Sequence, residues 1–263
     1  MVVVRVENVT FKYNSVKALD NVTLEFKGGL LYGVIGPNGA GKTTFLKVLA
    51  RILKPTMGVV YIDGKSINSY SGRELAKIVS YASTDIPRGF NSTVLEFVLT
   101  SRYPHMRGFW ESEEDLRVVG EVLERVDASH LASRRLDQLS SGEFQRVLIA
   151  KLLAQQARVL LVDEPTAHLD LKYRIEVMRL LREITKSRKL ITVVTLHDLT
   201  LTGLCDELIL LSRGRVIAVG KPRDVLTKEN IVESYGVLVD IIEHEKLGVI
   251  VVPIEPVRSV GGS

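Results

Sequence analysis

Gly36, Gly41, Lys42 and Thr43, inside "GVIGPNGAGKTTFLK", stand at the spacing G-x-x-x-x-G-K-[ST], and those residue types at that spacing suit the grip of a polyphosphate. The loop Gly36, Pro37, Asn38, Gly39, Ala40 and Gly41 lets backbone N–H groups curl around a β-phosphate, and the amino terminus of the helix that follows adds partial positive charge. Lys42 reaches the β and γ oxygens, the Thr43 hydroxyl faces Mg²⁺, and Thr44 holds the α-phosphate. The pattern follows an apolar strand and opens a helix, the context it requires. A glycine-rich turn that binds nothing would need neither a lysine nor a hydroxyl in those slots.

Two further stretches carry chemistry. "VLLVDEP" sets Asp163 at the carboxyl end of a strand, where ligands sit in open α/β sheets, and suits it to hold Mg²⁺ through water. Glu164 beside it can polarise an attacking water, a general-base role worth roughly 10² to 10⁴-fold. "LDQLSSGEFQRVLIAKLLAQQ" has a capping box, with Ser140 as N-cap and Glu143 three residues on. Ser140, Ser141 and Gly142 at a helix amino terminus are also an anion site. The chain already grips a nucleotide elsewhere, so a second phosphate-facing surface makes sense if it is offered to the nucleotide of another copy.

The elements that position these residues follow from periodicity. "VVVRVEN", "LLYGVIG", "VLLVDEP", "LITVVTLHD", "ELILLS" and "RVIAVG" read as strands alternating with amphipathic helices, which predicts a three-layer α/β core with a largely parallel sheet. One helix follows the glycine loop with Phe45, Leu46, Leu49, Ile52 and Leu53 on one face, and another runs from about Leu171 to Lys186. Between about Thr84 and Gln156 the periodicity is helical, a subdomain inserted in the core. The ending resumes strand character and trails into a small, polar, disordered tip.

Composition sets the limits. A chain of 263 residues, 46% hydrophobic and 25% charged, buries one large core or a core plus a satellite. Its apolar runs are strand-sized, short of the roughly 18 to 20 residues of a membrane span, and the start has no secretory pattern, so the chain is expected in the cytoplasm. The net charge of +4 is spread out, which argues against nucleic acid as a partner. The single cysteine, Cys205, is expected as a small buried apolar residue. His105, His130, His168 and His244 show no metal-ligand pattern.

"LSSGEFQRV" resembles the signature of ATP-binding cassette (ABC) ATPases, normally Leu-Ser-Gly-Gly-Gln, and the order P-loop, signature, "LLVDEP", "TAHLD", "TLHD" is that family's order. The resemblance covers nearly the whole chain. It implies a P-loop NTPase fold, with an ABC ATPase domain over 1–228 (a RecA-like core of 1–83 and 157–228 and a helical subdomain of about 84–156) and an extension over 229–263. It implies ATP and Mg²⁺ as cofactors, and two cassettes pairing head to tail so that Ser140, Ser141, Gly142 and Glu143 of one face the ATP of the other. By the same resemblance Tyr13 stacks on adenine, His197 contacts the γ-phosphate, and Asp170 is the carboxylate of the loop linking the two sites. Ser141 and Glu143 stand where the family has Gly and Gln. Thr84 occupies the place of a glutamine that helps bind Mg²⁺ and transmits nucleotide state, so Thr84, with Asp85 in part, is the expected substitute.

"LTSRYPHMRGFWESEEDL", with Arg102 to His105 its most telling element, is similar to ATPase subunits of importers for iron-siderophore, haem and cobalamin chelates. That likeness implies a homodimer on integral membrane permease subunits at the cytoplasmic face of the membrane, served indirectly by a solute-binding protein. Two other readings stay open: a soluble ABC ATPase, such as one of iron–sulfur assembly, and a low-turnover ATP-dependent interaction module, which the replaced glutamine favours.

Overall fold

The computed structural model describes residues 1–83, 91–106, 108, 110–245 and 248–257. The chain starts with β1 (Val3–Tyr13), β2 (Val16–Lys27), β3 (Leu30–Ile35), α1 (Lys42–Leu49), β4 (Met57–Ile62), β5 (Lys65–Ser66), α2 (Gly72–Ala76) and β6 (Val79–Ser83). Helical structure follows in α3 (Val94–Leu99), α4 (Glu113–Arg125) and α5 (Ser141–Ala154). Then come β7 (Val159–Asp163), α6 (Leu171–Arg188), β8 (Ile191–Thr195), β9 (Glu207–Ser212), β10 (Arg215–Gly220), α7 (Pro222–Val225), α8 (Lys228–Tyr235), β11 (Val237–His244) and β12 (Gly248–Pro256).

β9, β3, β8, β7 and β6 are parallel neighbours in a sheet that β10 extends antiparallel at one edge. Every residue of β7 and β8 is buried because both faces of this sheet are covered, which is why these strands read as largely apolar runs, polar only at Asp163, Thr192 and Thr195. Val159 and Leu161 of β7 join the layer containing α1, whereas Leu160 and Val162 join the layer of α5 and α6. The expected α/β three-layer arrangement and the helical insertion are both present.

Two expectations are corrected. "VVVRVEN" is a strand, yet β1 lies in a separate antiparallel sheet of order β2-β1-β4-β5. Its alternation is the signature of a half-covered strand, Val4 and Val6 facing inward and Arg5 and Glu7 outward. The helix after the glycine loop stops before Ile52, which is 54% exposed. Arg51 there adopts φ 56° and its guanidinium binds the Ile67 and Tyr70 carbonyls, so the chain turns away where the helical pattern would continue.

Arg102, the first residue of the element most telling for the family likeness, lies in the turn after α3. Its side chain is buried, donating to Asp115 Oδ1 at 2.9 Å and to the Ala154 carbonyl and Gln156 Oε1 at 2.8 Å each. It ties the turn after α3 to the start of α4 and the end of α5. Tyr103 does face outward. At the carboxyl end Gly236, with φ 65°, closes α8, and the β11–β12 hairpin sinks Val239 and Val249 into the layer of α6. The expected disordered tip lies outside the described residues.

Candidate functional site

β3 delivers the chain to the glycine loop, and the loop's conformation explains its glycines. Gly36 has φ 146°, and a β-carbon there would stand 2.1 Å from the Leu211 carbonyl oxygen of β9; at Gly41, φ 103°, the Ala18 carbonyl oxygen would be 2.3 Å away. Gly41 is also the N-cap of α1 and offers no side-chain cap. The first backbone N–H groups of α1 therefore have no acceptor from the cap, the arrangement that receives anions at helix starts. Lys42 lies over the loop, its Nζ donating to the Gly36 carbonyl at 2.7 Å and the Pro37 carbonyl at 3.0 Å. Burial pulls the Lys42 ammonium below the usual lysine range, opposed by the nearby Glu164 and Asp163 carboxylates.

Behind the loop, Thr43 Oγ1 donates to Asp163 Oδ1 at 3.1 Å. Parallel pairing of β7 with β8 puts the ends of these strands side by side, and there His197 Nε2 stands 2.6 Å from Glu164 Oε1. Glu164 holds a left-handed backbone, φ 53°, at a cost of about 1–2 kcal/mol for a residue with a β-carbon. The turn brings its side chain to the cleft.

That cleft has a volume of about 490 Å³ and is lined by Tyr13, Val16, Lys17, Ala18, Asn38 to Thr44, Glu164 and His197. The size falls within the range of small-molecule and cofactor sites, roughly 300–1,000 Å³. Tyr13, half exposed at the end of β1, meets Phe11 in a T-shaped contact with centroids 4.8 Å apart and lines the cleft. Gly36, Pro37 and Asp163 do not line it. The oxygens of Thr43 and Asp163, which meet under the phosphate loop, are hard donors of the kind Mg²⁺ takes.

The remaining predicted residues lie elsewhere. Ser140, Ser141, Gly142 and Glu143 open α5 and line no part of this cleft. The capping box is as read: Ser140 Oγ accepts the Glu143 N–H at 3.3 Å, and a Glu143 carboxyl oxygen accepts the Ser140 N–H at 2.8 Å. The Glu143 carboxyl is held below its usual range, first by that Ser140 backbone bond. A β-carbon on Gly142 would stand 3.4 Å from the Tyr173 ring. Asp170 caps α6, accepting the Tyr173 N–H at 3.2 Å, and does not reach the cleft. Thr84 lies outside the described residues.

Sequence reasoning missed two residues at Asp163. Thr195 Oγ1 donates to Asp163 Oδ1 at 2.7 Å, and the Tyr81 hydroxyl of β6 is 3.4 Å from Oδ2. A hydroxyl at the carboxyl end of a largely apolar strand, "ITVVT", was the available signal for Thr195. Among the described residues, no group of three or more His, Cys, Asp or Glu side chains could hold a metal, and no helix is long and apolar enough to cross a membrane.

Comparison with known proteins gives this geometry its relatives. A family model described as ABC transporter matches residues 19–167. An uncharacterized ABC transporter ATP-binding protein of Methanocaldococcus jannaschii is 39% identical over 90% of this chain and 92% of its own length. The ferric enterobactin transport ATP-binding protein FepC of Escherichia coli is 34% identical over 95% of this chain and 93% of its own. The cobalamin import ATP-binding protein BtuD of Halobacterium salinarum is 36% identical over 92% of this chain and 61% of its own. Among solved structures, an inward-facing transporter assigned to the metal-chelate type superposes with TM-score 0.83 at 25% identity, over 97% of this chain and 98% of that one. A dimeric ATP-binding cassette in a post-hydrolysis state, bound to ADP and Pi, gives TM-score 0.74 at 31% identity, over 84% and 99%.

Proposed function

Because this chain belongs to the ABC transporter family, as an ATP-binding subunit that hydrolyses ATP, we propose that it powers import of metal chelates of the iron-siderophore, haem or cobalamin type. In this reading two copies pair head to tail on integral membrane permease subunits at the cytoplasmic face of the membrane, and a solute-binding protein supplies the permease. The chelate class rests on relatives named for ferric enterobactin and cobalamin. The division into a core of 1–83 and 157–228, a helical subdomain of 84–156 and an extension of 229–263 belongs to the same proposal. Tyr103 and Trp110, 74% and 83% exposed in the helical region, suit a surface covered by a partner.

The observation that carries the pairing is a separation. One chain holds a phosphate cleft at the start of α1 and a second helix start, Ser140 to Gly142, that contributes nothing to that cleft. A second copy turned head to tail would close the open cleft with that helix start, whose dipole favours the γ-phosphate.

The residues divide the work as follows. Tyr13 stacks on the adenine, and the backbone amides from Asn38 to Thr44 cradle the phosphates. Lys42 exchanges its carbonyl contacts for β and γ oxygens. Thr43 and Asp163 would hold Mg²⁺, which when bound offsets the charge on the β- and γ-phosphates. Glu164 accepts a proton from the water that attacks the γ-phosphorus. His197, hydrogen-bonded to Glu164, orients that carboxylate and, in this reading, contacts the γ-phosphate.

The test is the solution mass of Glu164→Gln by light scattering, with and without Mg-ATP. A monomer that becomes a dimer only with Mg-ATP supports pairing around nucleotide; a variant that binds Mg-ATP and stays monomeric refutes it for the isolated chain. The chelate class is tested by uptake of labelled ferric siderophore, haem and cobalamin in cells lacking the gene, where undiminished uptake of all three would refute it.

A further inference from the structure

Thr195 has no part in the nucleotide reading above, yet it is buried at the meeting point of the residues that reading uses. It ends β8, one residue past Val194, which pairs with Val162 of β7. Its Oγ1 donates to Asp163 Oδ1 at 2.7 Å and accepts the Glu164 backbone N–H at 2.8 Å. With its single hydrogen on Asp163 and a lone pair on the Glu164 amide, the hydroxyl's orientation is fixed. Two residues further on, His197 closes a ring by its bond to the Glu164 carboxylate.

We propose that Thr195 is a positioning residue of the hydrolytic centre, which sets the rotamer of Asp163 and pins the left-handed turn that aims Glu164. This rests on the roles given above to Asp163 and Glu164. The other hydroxyls on Asp163 are less suited to the task. Thr43 shares Oδ1 at 3.1 Å, and a Thr43 hydroxyl turned toward a metal leaves that bond. Tyr81 is 3.4 Å from Oδ2, at the long limit of a hydrogen bond. Thr195 is thus the short, buried donor that persists when nucleotide and metal enter. It also ties the two strand ends together, so a shift of His197 is felt at Asp163 through two covalent steps and one hydrogen bond.

Valine has threonine's shape without the hydroxyl, and would leave the Asp163 oxygen and the Glu164 N–H short of a partner. Loss of such an outer partner of a metal ligand lowers affinity or activity by roughly 10- to 100-fold. The experiment compares Thr195→Val and Thr195→Ser in two assays: ATP affinity by calorimetry with Mg²⁺ and with EDTA, and steady-state kcat and KM for Mg-ATP. Thr195→Val is expected to keep its affinity in EDTA, lose part of the gain that Mg²⁺ confers, and lower kcat about 10- to 100-fold with little change in KM. Thr195→Ser is expected to recover both. A Thr195→Val protein with wild-type kcat and Mg²⁺ gain overturns the proposal, as does a serine variant as impaired as the valine one, since the methyl group would then be what matters. Should valine prevent folding, Thr195→Ala against Thr195→Ser makes the same comparison. Glu164→Gln is run alongside. Full-rate hydrolysis by that variant refutes Glu164 as base, and the Mg²⁺ gain, which involves Asp163, still decides the role of Thr195.

Discussion

Replacing Arg102 by methionine removes the cation paired with Asp115 at a place where both side chains are only 4% exposed. Burial alone pushes the Asp115 carboxyl up; the Ser112 hydroxyl and the Arg102 guanidinium more than reverse this and hold it below the usual carboxylate range. Without Arg102, Oδ1 loses its partner while Oδ2 keeps the Ser112 hydroxyl at 2.6 Å and the Ser112 N–H at 3.1 Å. The Ala154 carbonyl and Gln156 lose a donor too. Breaking a buried pair from one side costs about 3–5 kcal/mol, and the surviving Ser112 bonds place this case near 3. At about 2–4 °C per kcal/mol for a chain of this size, the melting temperature should fall by about 10 °C. Arg102→Met/Asp115→Asn, which leaves no buried charge and keeps the Ser112 contacts, should recover more than half of the loss. The sign of the pH effect follows from the lowered folded value. The stabilisation is present above the unfolded value, about pH 3.9, and is lost as pH falls through the folded one, so the gap between wild type and Arg102→Met should narrow below about pH 4. Thermal and urea unfolding by circular dichroism measure the cost, and hydrogen exchange should locate it in α4 and α5. A loss under about 1 kcal/mol, the value of a solvated pair, with no recovery in the double variant, would refute the reasoning.

Lys42→Ala should abolish tight ATP binding measured by calorimetry, because Lys42 is the cation within the phosphate loop; unchanged affinity would contradict its role. Glu164→Gln should lower kcat by roughly 10² to 10⁴-fold with nucleotide affinity retained. Ser140→Ala should cost about 1 kcal/mol as a lost N-cap, and should also prevent the Mg-ATP-induced dimer seen by light scattering; a stability loss without an assembly defect would mean the residue is a cap only. Cys205 is buried and its thiol is pushed up to about 12, chiefly by desolvation, so a thiol reagent at pH 8 should label the unfolded chain promptly and the folded chain far more slowly.

Motifs that are continuous in the chain were legible without coordinates. The glycine loop, its lysine and hydroxyls, the Asp163–Glu164 pair and the Ser140–Glu143 capping box each depend on spacing along one strand-to-helix turn or one helix start, where backbone geometry leaves few alternatives. The buried runs of β3, β7 and β8 were legible for a similar reason, since a strand covered on both faces has no polar alternation. Other features required the tertiary structure. Whether β1 joined the parallel sheet or a second one depended on which surface its alternating face met. Arg102, a charged residue whose local sequence gives no sign of burial, turns inward because Asp115 and the end of α5 supply three acceptors that lie 13 to 54 residues away in sequence. The bond from Thr195 to Asp163 spans 32 residues. It exists because β7 and β8 are neighbours in the sheet, and strand order is set by how whole layers cover one another, a property that no local stretch of residues encodes.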